Sequence, residues 1–241
     1  MVDERRAFVL GRRLLRESDL GVTLLLDDGS AHEAWAPAGM ASQRRFAAGL
    51  STQVLFRVGL REHRRGLRLE HCLVEQAWPG LLSSLHRQSA AAVLTGAALE
   101  LTPHAGAGAH GFLLLGDGYQ RLAVTNAPSA SAAVLARLVF ELLADGGHAL
   151  SLDRCARCHT PAPEDRRVTV EPAAGGVRCR RCGGGPYVLL ARDRAALRAV
   201  LAGDESAWRP ELLSIVSHLL VAAAPTTSAT LGRLGPLLGG A

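Results

Sequence analysis

Three features of the 241-residue sequence predict an α+β multidomain chain. Short strand-like runs broken by turns fill the N-terminal third, helical periodicity takes over after Trp78-Pro79-Gly80, and two Cys-x-x-Cys pairs stand twenty residues apart late in the chain. The expected architecture is a small N-terminal β-barrel over residues 1–79, followed by an all-α domain over 80–241. A four-cysteine zinc motif is inserted in that second domain at 155–182.

The strands come first. Ala7–Leu15 and Gly21–Asp27 are apolar runs separated by the turn RESD. Asp27-Asp28-Gly29-Ser30 reads as a hairpin, which makes the two aspartates turn residues rather than an acid/base pair, and HEAWAPA follows it. Beyond a basic loop, Gln53–Val58 alternates with period two, and Arg68–Val74 does so more coarsely. Five short strands in this length fit a closed barrel. The OB-fold is the commonest nucleic-acid-binding example, and an SH3-like barrel fits the same pattern. Cys72, on the last strand, reads as a core thiol.

The helices follow. Leu81–Leu101 is rich in Leu and Ala and stops at Thr102-Pro103. The glycine-rich stretch 104–118, with its apolar FLLLG, receives no assignment. Across Ser129–Asp145, Val134, Leu135, Leu138, Val139, Leu142 and Leu143 form a broad apolar stripe that faces a core and ends at Gly146-Gly147. Asp193 reads as the cap of a helix over 194–202, and Pro210 as the opening of one over 211–223 with Leu212, Ile215, Val216 and Leu219 inward. The last sixteen residues read as poorly ordered, and no internal repeat is visible.

Composition narrows the chemistry. All 27 basic residues are arginine, so a P-loop lysine and lysine Schiff-base chemistry are both excluded. No G-x-S-x-G elbow, H-E-x-x-H helix or deaminase signature occurs, so no catalytic residue is assigned and a non-enzymatic role is expected. His63 and His86 read as surface residues. The apolar runs are far shorter than the ~20 residues of a membrane span, and MVDERRAF lacks a signal-peptide core, so a cytoplasmic chain with reduced thiols is expected. Net charge is +5, but seven arginines (Arg44, Arg45, Arg57, Arg61, Arg64, Arg65 and Arg68) stand against the single acid Glu62 between Met40 and Arg68. Such a run is either a solvated face or a surface that tracks phosphates.

Cys155, Cys158, Cys179 and Cys182 have the spacing of a two-knuckle zinc site. Each pair offers two sulfurs from one tight turn, and two such turns close a tetrahedron, leaving no open position for catalysis. One structural Zn2+ is the expected cofactor. His159 reads as a bystander beside a complete ligand set. Arg154, Arg157, Arg178, Arg180 and Arg181 flank the thiols, where they either favour bound thiolates or bind phosphate.

The order of these parts resembles the RecO family of bacterial recombination mediator proteins. FVLGRRLLRESDLGVTLLLDDG at 8–29 looks like that family's first strand, turn and second strand. ARLVFELLADGGHALSLDRCARC at 136–158 is similar to its helix leading into the first knuckle, and GGVRCRRC at 175–182 to the second. The resemblance implies an OB-fold followed by a helical zinc-bearing domain. It implies binding of single- and double-stranded DNA, annealing of complementary strands and work with RecR. It further implies help in loading RecA onto DNA covered by single-strand binding protein. The family's basic loop maps onto 38–46, with Arg44 and Arg45 at its cationic positions. The competing readings are a zinc-ribbon RNA-binding or regulatory protein and a metal-dependent hydrolase or nuclease.

Overall fold

A computed structural model describes residues 2–42, 44–64, 66–102 and 108–239. Its N-terminal unit is a closed barrel of β1 (Asp3–Leu14), β2 (Leu20–Leu26), β3 (Ala31–Ala36), β4 (Val54–His63) and β5 (Gly66–Ala77) in the order β1-β2-β3-β5-β4. The closure and strand order fit an OB-fold. All five expected strands form. β1 begins earlier than its apolar run because Asp3 and Glu4 pair with Leu60 and Gly59 of β4, which leaves the charged side chains outside. Arg5 there lies 2.9 Å from Asp27 and 2.7 Å from Asp28, in the β2–β3 turn. Ser30 and Arg5 hold the Asp28 carboxyl well below the usual carboxylate range, consistent with a turn role.

Alternation fills the barrel: Val9, Leu20, Val22, Leu24, Phe56, Val58, Leu60, Leu69 and Cys72 point inward and are buried. Parallel pairing of β3 with β5 is brief, and the gap is closed by Phe46, 1% exposed, which bridges to Cys72. The opposite faces of β1, β2 and β4 give Phe8, Leu10, Leu25 and Leu55 to the helical core instead. Phe8 sits 4.9 Å from Phe112 and 5.7 Å from Tyr119, centroid to centroid. Tyr119 is fully buried with its hydroxyl 2.7 Å from Thr95 Oγ1, and burial pushes its pKa up.

The second unit contains α1 (Leu85–Leu101), α2 (His110–Leu122), α3 (Pro128–Asp145), α4 (Ala191–Leu201), α5 (Leu212–Leu220) and α6 (Pro225–Leu234). The stretch left unassigned from sequence holds α2. Its glycines hid it, yet Gly118 is there because a Cβ would lie 2.5 Å from Leu94 and 2.9 Å from Leu138. The stripe on α3 is buried as expected. His86 differs: it is half-buried, with Nδ1 2.8 Å from Ser131 Oγ. Asp193 does not cap α4; it lies in the first turn and accepts from Arg209 Nη2 at 2.8 Å. The cysteine insertion adds a three-stranded sheet, β7-β6-β8, from β6 (Val168–Glu171), β7 (Gly176–Val177) and β8 (Tyr187–Leu189). No helix among the described residues is long and apolar enough to cross a membrane.

The C-terminal segment corrects the expectation of poor order. The N-cap position of α6 is Ala224, which has no side-chain acceptor, so Pro225 in the first turn is the local start signal, one the sequence reading did not use. Glu100 of α1 supplies the acceptor from a distance: it takes hydrogen bonds from Thr226 N (2.9 Å), Thr227 N (2.7 Å) and Thr227 Oγ1 (2.6 Å). Burial alone would raise the Glu100 pKa, but the Thr227 and Thr226 donors outweigh it and the net shift is downward. A lowered folded-state pKa means this stabilisation is present above the ordinary carboxylate range and is lost as pH falls through the folded value. Glu100→Ala is expected to cost about 1–2 kcal/mol and to speed amide exchange in α6 selectively. Exchange in α6 identical to the parent protein would refute that clamp.

Candidate nucleic-acid interface and four-cysteine centre

Leu25 carries one outward position of β2 to the helices, whereas no residue of β3 joins the helical core cluster. Along β3, Ala34 and Ala36 point inward, so Glu33 and Trp35 point outward. The Trp35 indole donates to Asp19 Oδ2 at 3.2 Å, lies 5.9 Å from the His63 ring and carries the Arg68 guanidinium 5.5 Å from its centroid. In OB-folds this face, between the β1–β2 and β4–β5 loops, is where oligonucleotides lie. Arg16 is exposed in the first of those loops and Arg64 in the second.

The seven expected arginines separate into groups. Arg44 and Arg64 are exposed and make no ion pair among the described residues. Arg45 is tied into its own loop: Nη2 donates to Pro37 O at 2.6 Å, Nε to Ser42 Oγ at 3.2 Å, and the guanidinium lies 5.0 Å from the Phe46 ring centre. Arg61 and Arg68 share Glu70 at 3.1 and 3.5 Å, and Arg57 lies 3.7 Å from Glu75, which also meets Arg6. Arg65 lies outside the described residues. The hairpin register sets Arg61 opposite Arg68 and Arg57 opposite Leu73, so acids later in sequence reach arginines counted earlier.

The structure adds cations that the sequence reading missed. Arg12 donates to Gly49 O at 2.8 Å and lines a shallow groove with Leu14, Leu20, Gly39, Met40 and Gly49. The β3–β4 loop is fastened to the β1–β2 turn by Met40 N to Ser18 O (3.0 Å) and Ala38 N to Asp19 Oδ1 (2.8 Å). Arg12, Arg16 and Arg44 are therefore carried by segments joined at one end of the barrel. RESD, read only as a turn, contained the signal for Arg16. Trp35 also had one, as an outward aromatic residue in HEAWAPA.

The four cysteines come together. Their Sγ atoms all lie within 4.8 Å of one another, with Cys158 and Cys179 3.7 Å apart. Zn–S bonds of ~2.3 Å in a tetrahedron put sulfurs roughly 3.8 Å apart, whereas a disulfide needs about 2.05 Å, so the geometry fits a metal ion. Both knuckles are turns closed by backbone bonds: Cys155 N to Thr160 O at 2.9 Å, and Cys182 N to Cys179 O at 3.0 Å. Gly176 holds them in register. Its φ is 139° and a Cβ would lie 2.1 Å from Ser151 O, so no other residue fits.

The thiols are unlike one another. Donation from the Cys179 and Cys158 backbone amides brings the Cys155 pKa down to about 5. The Thr160 hydroxyl, 3.3 Å from Cys158 Sγ, lowers that thiol. Hydrogen bonding to Cys158 and Cys179 pushes Cys182 up to about 12. A cation is what lets such a cluster ionise completely, and its binding expels the remaining protons. His159, in the left-handed region at φ 57° and exposed, is not in the cluster.

A closed barrel bearing exposed arginines is joined to a helical body braced by a four-thiol centre, and together these define a modular chain. Within that class the comparisons are specific. The family model described as "Recombination protein O C terminal" matches residues 82–223, more than half of the sequence, and the chain belongs to the RecO family. That places it in recombination and DNA repair. No curated protein matches the chain.

Proposed function

We propose that the protein is a non-catalytic recombination mediator that holds DNA on its barrel and anneals complementary strands. The carrying observation is the outward side of β3, where Trp35 lies against the His63 ring between the loops bearing Arg16 and Arg64. Arginine–phosphate pairs fix the backbone, ring faces receive unstacked bases, and base edges stay free to pair. In this reading the ion in the four-cysteine centre is one Zn2+, whose chemistry is to cross-link the two knuckles. The sequence resemblance supports RecR and single-strand binding protein as partners, with RecA loaded indirectly.

The test is annealing of complementary oligonucleotides coated with the cognate single-strand binding protein, with and without ATP. Equal annealing in both and intact strands are expected. An ATP requirement, strand cleavage with added magnesium or manganese, or strong preference for structured RNA over single-stranded DNA would overturn the reading.

A further inference from the structure

The cysteine insertion carries a second cationic surface, remote in its supports from the barrel. The barrel rests on α1 and α2 through Phe8, Phe112 and Tyr119. The insertion is fastened to α4 and α5: Arg194, 2% exposed, donates to Pro163 O at 2.5 Å, Arg198 meets Asp153 at 3.0 Å, and Tyr187 stacks on His218 at 4.5 Å. Between its two knuckles runs an open groove of about 540 Å3. Its apolar floor includes Val168 and Val177, and its lining has four arginines, Arg166, Arg167, Arg178 and Arg180, with no carboxylate.

Three of these arginines are available. Arg167 and Arg180 are exposed and make no ion pair among the described residues. Arg166 reaches only its neighbour Asp165, 3.7 Å away with both side chains nearly fully exposed, and such a pair contributes little. Arg178 lies 3.8 Å from Glu171, but its Nε is buried without a hydrogen-bond partner. Charge compensation of the thiolates accounts for the arginines flanking the cysteines. Cys155 and Cys179 also line the groove, but its four arginines exceed the formal −2 charge of a divalent ion held by four thiolates, so compensation leaves a net positive lining. The site does not suit a small enclosed anion, because it is an open trough with long side chains along it.

We infer that this groove is a second anchor for the sugar–phosphate backbone of single-stranded DNA. The inference rests on the reading of the barrel as a DNA-binding face and gives the same chain a separate hold on nucleic acid. With one cationic surface supported by α1 and α2 and another by α4 and α5, a single molecule can retain two strands, or two stretches of one strand.

The test uses the full-length, metal-loaded protein and fluorescein-labelled oligothymidylate, with affinity followed by anisotropy across a salt series. Arg166→Ala/Arg167→Ala/Arg180→Ala should flatten the slope of log affinity against log salt by about 2, since each phosphate contact on single-stranded DNA contributes roughly 0.7. Each single substitution should give about a third of that change, with metal content unaltered. Arg44→Ala/Arg64→Ala is measured in parallel as the barrel arm. A parent-like slope in the groove variant alone overturns this inference and leaves the barrel reading standing, whereas a parent-like slope in the barrel variant overturns the barrel reading. A groove variant that keeps its DNA slope but loses binding to a polyglutamate peptide makes the groove a protein-docking site, and also overturns the inference.

Discussion

Cys179→Ala is expected to release the metal and lower the melting temperature by about 6–12 °C, corresponding to roughly 3 kcal/mol in a chain of this size. The physical reason is that a closed four-thiolate site contributes its binding energy to folding. Here the site also holds the β6–β8 sheet, which delivers Val168, Val170, Val177 and Leu189 to the main helical core. Loss of one ligand frees the second knuckle and loosens that packing. A chelator should bring the parent protein to the same stability and leave the variant unchanged. Elemental analysis should find one zinc per chain in the parent and in His159→Ala, whose imidazole is outside the cluster. A metal-free, equally stable parent protein would remove the centre from the account.

How far the sequence could be read depends on how local each signal was. The barrel strands were visible because alternation and turn residues act over a few positions, and the cysteine spacing carried its own geometry. α2 was hidden because its glycine-rich sequence gave no assignable pattern, whereas Gly118 lies where a Cβ would press on Leu94 and Leu138. α6 was missed in part because the acceptor for its first amides, Glu100, lies over a hundred residues away, while the local signal of Pro225 went unread. The arginine cluster was partly misleading for a related reason. Charge counted along the chain omitted Glu70 and Glu75, which β5 brings back against Arg61, Arg68 and Arg57. It also omitted Arg12 and Arg16, which belong to another strand pair.

The second large effect is expected at the barrel. Among the described residues, Arg44 and Arg64 are the cluster members that are exposed and make no ion pair, so they are the pair to remove. Arg45→Ala would be a poorer probe, because it would also unhook the loop from Pro37 O and from Ser42. Arg44→Ala/Arg64→Ala should weaken binding to all DNA sequences about equally, since phosphates carry no base identity. Trp35→Ala should act differently. Losing a stacking face costs about 1–3 kcal/mol per base on single strands, with little change in salt dependence. Its partner Asp19 is held below the usual carboxylate range chiefly by the Ala38 amide, so the β1–β2 turn should survive the substitution.

The central claim is that DNA is held on the barrel by its phosphates. Its most direct measurement is the salt dependence of single-stranded DNA affinity for the parent protein and for Arg44→Ala/Arg64→Ala. The account predicts a steep parent slope that flattens by about 1.4 in the variant, with unchanged melting temperature. Parent and variant slopes that superimpose, at equal affinity, would contradict it and leave those arginines as a solvated surface.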